Sequence, residues 1–203
     1  MENYYFMRLA LNWLSEPRHV QRLFAITLRA TAILVVPLSL VTFFKAGKVI
    51  FELPASGILG GIIFQIFFVA AVYCVVHGLF IRARDMDALP GGDFYMFRLA
   101  ATFLKAAGEA VAAFIALVAV GGGIFVWFTA KGVNTIIHSS PRFLPVFGDT
   151  SFMGGIEFMA GGLLSAVILL GLAYLLAQGL ALVGELAARV RAPEPGAAFF
   201  IEV

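Results

Sequence analysis

The chain has 203 residues, 62% of them hydrophobic and 13% charged, with a mean hydropathy of +0.98 and a formal net charge of +2. Soluble domains carry about 45–50% apolar and about 25% charged residues, so a globule of this size has too little polar cover, and the chain belongs in a bilayer. The 14 Lys and Arg residues form no run, which argues against nucleic-acid binding, and the single cysteine, Cys74, allows no intrachain disulfide and no CxxC motif.

Residues 3–16 mix Tyr4, Tyr5, Met7, Leu9, Leu11, Trp13 and Leu14 with Arg8, Asn12 and Glu16. This pattern predicts an amphipathic helix lying on the membrane surface. The segment lacks the basic start, unbroken apolar core and cleavage site of a signal peptide, so the first span is expected to be retained. Apolar windows near the roughly 20 residues needed to cross a bilayer then occur at about 24–44, 57–81, 108–130 and 155–183. Between them stand AGKVIFELPAS, RARDMDALPGGD and KGVNTIIHSSPRFLPVFGDT, punctuated by Pro54, Pro90, Pro141 and Pro145. Pro37 falls inside the first span, where neighbouring helices can re-satisfy the freed carbonyl. The tail 192–203, APEPGAAFFIEV, ends on Phe199, Phe200, Ile201 and Val203, which suits contact with a partner subunit.

Ten Lys and Arg residues fall on the side of the N-terminal arm, the 82–98 link and the tail, and four on the other. The positive-inside rule therefore puts both termini in the cytoplasm, and a bacterial inner membrane is the expected location. Two echoes suggest duplication. RLFAITLRA (22–30) resembles RLAATFLKA (98–106) at an offset of 76, and AVYCVVHGL (71–79) resembles LAYLLAQGL (172–180) at an offset of 101. The expected fold is all-α, a single membrane domain over 1–203. It is a four-transmembrane-helix bundle from two tandem parallel-repeat hairpins, with the interfacial helix in front.

Four polar stripes follow from helical spacing. Arg18, Arg22 and Arg29 lie on one; Arg98, Lys105 and Glu109 on a second; Tyr73, His77 and Arg84 on a third; Tyr174, Gln178 and Glu185 on a fourth. A cation seven residues into a span stands about 10 Å deeper, within reach of headgroups by snorkelling. The competing reading faces the stripes inward. Arg29, Lys105, Glu109, His77, Tyr73, Tyr174, Gln178 and Glu185 would then form a polar network, or a site for an anion such as a lipid phosphate. The sequence leaves both open.

No HExxH, GxSxG or metal-ligand spacing occurs, so no catalytic residue, metal or cofactor is expected. His77 stands alone within the spans; a cofactor shared with another subunit is the one route to haem. The serines, His138 and Asp149 of the 131–150 segment are adjacent in sequence, which is not triad geometry. Glu157 reads as an interfacial glutamate or a cation-binding carboxylate, and Gln65 as an interhelical donor. Gly57, Gly61, Gly161 and Gly162 mark close helix contacts, and the Gly121–Gly123 run is either packing or an unwound hinge. Missing chemical motifs, small soluble loops and repeated small-residue faces point to a non-catalytic subunit or scaffold of a larger membrane complex. It would contact lipids and other membrane subunits, or its own copies, and no nucleic acid. The alternative is a small homo-oligomeric transporter or channel for an ion or small anion.

Overall fold

The computed structural model describes residues 17–90, 95–129 and 151–191. They form four helices, α1 (Pro17–Phe51), α2 (Ala55–Asp87), α3 (Tyr95–Thr129) and α4 (Phe152–Arg191). Each is long and apolar enough to cross a membrane, with a mean hydropathy of 2.0 to 2.4 in its most apolar window. The expected surface helix at 3–16, the 131–150 segment and the tail 192–203 lie outside the described residues.

The helices overrun the expected spans at both ends. α4 has 40 residues, about 60 Å at 1.5 Å per residue, roughly twice the hydrocarbon thickness. The expected link at 46–56 shrinks to a turn at 52–54, because nothing in AGKVIF interrupts the i→i−4 ladder before Pro54. There the Glu52 and Leu53 N–H groups close back onto the Val49 and Ile50 carbonyls at 3.2 and 3.1 Å, and proline disfavours helix at the residue before it. α2 likewise continues through RARDMD, and the Ala88 N–H caps it on the Arg84 carbonyl at 3.1 Å.

Neighbours in the chain pack against one another, α1 on α2, α2 on α3 and α3 on α4, while α1 meets α3 only marginally. Among the described residues α1 and α4 share no substantial contact, so the helices stand in an open row. Half of α3's most apolar window is buried, against 17% in α1 and α4, which places α3 at the centre. The flanks expose Leu34, Phe44, Val167 and Leu175, a costly arrangement in water and an ordinary one in lipid. Phe64, Phe68, Phe114 and Phe125 fill one half of the interior, with Phe68 edge-on to Phe114 at 6.2 Å between ring centroids. Leu28, Leu79, Met86 and Leu99 fill the half towards the α2–α3 link.

The α3–α4 seam is made of small residues. Gly155, Gly162, Ala166, Ala173, Ala177 and Gly184 recur at alternating spacings of seven and four, and all are buried. Opposite them Phe97, Gly108 and Ala119 step by eleven, three turns of helix that bring each onto the same face. A Cβ at Gly108 would lie 2.2 Å from that of Ala173, one at Gly162 would lie 2.2 Å from that of Ala119, and one at Gly184 would meet Phe97 at 3.0 Å. One antiparallel register thus holds along the whole seam, and the backbones approach as only missing side chains allow. Gly57 and Gly61 do the same for the α1–α2 corner, facing Leu53 with Thr129 and Ile50 respectively. Gly161 is half-buried, and its carbonyl accepts the Ser165 hydroxyl at 2.7 Å. α3 runs unbroken through Gly121–Gly123, all three buried, with Phe67 against Gly121 and Met159 against Gly123. The run is a packing surface and not an unwound hinge.

Positions related by the offset of 76 agree only in part: Ala25 with Ala101 and Ala32 with Gly108 are buried and Arg22 and Arg98 are exposed, but Leu23 and Ala30 are exposed where Leu99 and Ala106 are buried. Those related by 101 differ, since Val75 is buried and Leu176 is exposed.

Candidate functional site at the basic end of the helices

The charged residues gather where α2 ends and α3 begins, hereafter the basic end. There the small-residue seam sets the geometry. Because Gly108 rests on Ala173, their chain neighbours Glu109 and Tyr174 come side by side, and the Tyr174 hydroxyl donates to Glu109 Oε1. From α2, Arg82 lays its guanidinium fork across the same carboxylate. Nε donates to Glu109 Oε2 at 2.8 Å, and Nη2 donates to Glu109 Oε1. Nη2 also reaches the Tyr174 hydroxyl at 3.4 Å, and Nη1 donates to Asp85 Oδ2 at 3.0 Å. Two parallel charge-assisted bonds are the strongest way an arginine holds a carboxylate. Lys105, one turn before Glu109, places Nζ 5.5 Å from the centre of the Tyr174 ring, a cation–π contact. The set holds two cations (Arg82, Lys105) and two carboxylates (Asp85, Glu109), so its formal charge is zero. It clasps α2, α3 and α4 together.

A second cluster ties α1 to the end of α2. Gln21 is buried, and its Nε2 donates to the Met86 carbonyl at 2.5 Å, which also accepts the Leu89 N–H at 3.2 Å, and to the Leu89 carbonyl at 3.1 Å, both at the end of the helix where carbonyls lack i+4 partners. Arg29 stands two turns further along α1, about 12 Å from Gln21. Its Nη2 reaches back to pair with Asp87 Oδ2, with both side chains about 40% exposed. A cavity of about 630 Å³ opens here, lined by Arg18, Gln21, Arg22, Arg29, Asp87, Leu89 and Pro90.

Of the eight residues proposed from spacing, Lys105, Glu109 and Tyr174 come together, and Arg29 joins the separate α1–α2 cluster. Tyr73 and His77 stack on each other at 5.6 Å and 8° on the exposed face of α2. Gln178 and Glu185 are exposed on α4, away from the seam. The spacing argument missed Arg82, Asp85, Asp87 and Gln21. Arg82 was legible: it lies three and seven residues past Leu79 and Val75, on the face that also carries Ala71 and Ala83, while Tyr73, His77 and Arg84 occupy the opposite one. Gln65 donates to the Phe43 carbonyl of α1 at 3.2 Å. A Cβ at Gly47 would sit 3.2 Å from that amide, so the glycine makes the approach possible. Glu157 is exposed. Among the described residues no three His, Cys, Asp or Glu side chains converge as metal ligands. At the far end Trp127 Nε1 donates to the Phe152 carbonyl at 2.8 Å and stacks on that ring, across a gap that Gly155 keeps open.

Comparison with protein-family models, with curated proteins and with solved structures finds no match.

Proposed function

We propose that this protein is a non-catalytic integral membrane subunit or scaffold that binds other membrane helices through the outer face of α4. The supporting observation is a line of exposed residues, Gly171, Leu175, Gln178, Leu182, Glu185 and Arg189, at alternating spacings of four and three. That is the a/d spacing of a helix–helix seam, and it runs on the side of α4 away from α3. A Cβ at Gly171 would touch nothing within 4 Å, which leaves room for a second backbone. Gln178 lies within the apolar run, where an amide facing acyl chains is unfavourable and one facing another helix finds partners. The charged groups of the clasp are matched among themselves, which favours contact over passage of an ion.

The finer architecture belongs to the same proposal. Two tandem hairpins account for the agreement of Arg22, Ala25 and Ala32 with Arg98, Ala101 and Gly108. A cytoplasmic basic end follows from the distribution of Lys and Arg, and the surface helix and apolar tail add contacts on that side.

The test is crosslinking in native membranes from Leu182→Cys, in a Cys74→Ser background, followed by gentle extraction. A crosslinked second chain or a co-extracted membrane protein is expected, with none from Ala112→Cys on the buried seam. A monomer from both positions, with nothing co-purifying, ends this reading.

A further inference from the structure

The cavity between α1 and the end of α2 is independent of the α4 face, and its charge is unbalanced. Among the described residues, Arg18, Arg22 and Arg29 line it against one carboxylate, Asp87, leaving two positive charges in excess. Asp87 is taken by Arg29. Arg18 and Arg22 are exposed and one turn apart on α1, so their guanidinium groups flank the same opening. The floor is rigid: Gln21 is buried and fixed by its two bonds to Met86 and Leu89, and Pro90 closes the rim. This differs from the neutral clasp some distance away, where each cation already has a carboxylate or a ring.

We propose that this cavity binds a phosphate-bearing anion, with Arg18 and Arg22 as its principal ligands and Arg29, held by Asp87, as the back wall. Guanidinium forks match phosphate oxygens in shape and charge. The volume of about 630 Å³ exceeds what one phosphate needs and suits a headgroup entering from the side. The site lies at the basic end of apolar helices, the depth at which a bilayer presents phospholipid phosphates. A lipid headgroup and a soluble phosphate share this chemistry, and the experiment separates them.

Full-length protein is placed in phosphatidylcholine nanodiscs with and without phosphatidylglycerol, and retained lipid is counted by native mass spectrometry. A parallel titration uses inorganic phosphate in detergent. The R18Q/R22Q pair is compared with R84Q/R98Q, which removes the same charge from exposed positions at the same end. One retained phosphatidylglycerol is expected in the wild type. It should be weakened about ten-fold for each arginine removed in R18Q/R22Q, as for hydrogen bonds to charged groups, and kept in R84Q/R98Q. Asp87→Asn, which frees Arg29, should tighten it. Retention of the lipid alone identifies a headgroup site; competition by inorganic phosphate identifies a soluble anion. Equal loss in the two arginine pairs, with melting temperatures unchanged, overturns the proposal, as does the absence of any retained lipid or bound phosphate in the wild type.

Discussion

Adding one methyl group at Gly108 tests whether the small-residue seam sets the whole arrangement. The new Cβ would lie 2.2 Å from Ala173 Cβ, about 1.5 Å short of ordinary carbon–carbon contact. Neither partner has a rotamer to change, since both atoms hang directly from backbone, so α4 must move. Overpacking of this kind costs about 1–3 kcal/mol. Alanine recovers about 1 kcal/mol of helix propensity, which leaves a net loss of about 0–2 kcal/mol, and the upper end is expected because no rotamer relieves the contact. The displacement also draws Tyr174 away from Glu109, so the clasp weakens with the seam. Unfolding in mixed detergent micelles, followed by circular dichroism, measures the loss. Gly171→Ala is the control, because a Cβ there meets nothing within 4 Å, and it should be neutral or slightly stabilising. Ala173→Gly should rescue Gly108→Ala, giving a coupling of opposite sign to the single effects. If Gly108→Ala is as stable as the wild type, or if Ala173→Gly fails to restore it, the seam does not control the helix spacing.

The clasp and the outer ion pair should respond differently to loss of one partner. Glu109→Ala removes the bidentate partner of Arg82, which keeps only Asp85 as a carboxylate partner, in a site where the Arg82 and Glu109 side chains are only about a quarter exposed, and should cost about 1.5–3 kcal/mol in the same unfolding assay. The double variant Arg82→Leu/Glu109→Leu should cost less than the two singles added together, because neither member of the bidentate pair is left half-buried without the other. Arg29→Gln breaks a pair that is about 40% exposed on each side, and should cost less than about 1 kcal/mol; a loss equal to that of Glu109→Ala would contradict the distinction. Trp127→Phe keeps a ring on Phe152 and removes the donated hydrogen bond, so about 0.5–1.5 kcal/mol should be lost. Trp127→Ala, which removes both, should lose more, and equal values would show that the bond contributes nothing.

The charged clasp was half legible before the fold was known. Lys105, Glu109 and Tyr174 emerge from helical spacing, but spacing pairs Tyr174 with Gln178 and Glu185 and aligns Tyr73 with His77 and Arg84. Those alignments are real faces that point outward. The partner that matters, Arg82, sits on the opposite side of α2 with Val75 and Leu79. Aspartates 85 and 87 looked like loop residues until α2 was seen to run through them.

Composition and run length alone dictate four long helices, because about 20 consecutive apolar residues must satisfy their backbone internally wherever lipid surrounds them. The distribution of basic residues likewise marks one end as different. Which face of each helix turns inward is another matter. In a soluble protein the apolar stripe would reveal it, but here apolar side chains go all the way round, and lipid accepts Leu175 as readily as the interior accepts Leu79. Only the packed structure decides, and it does so through the residues with least to bury. Glycine and alanine at spacings of seven and four let α3 and α4 approach, and that approach carries Tyr174 to Glu109, while the packing of α2 on α3 brings Arg82 to the same carboxylate.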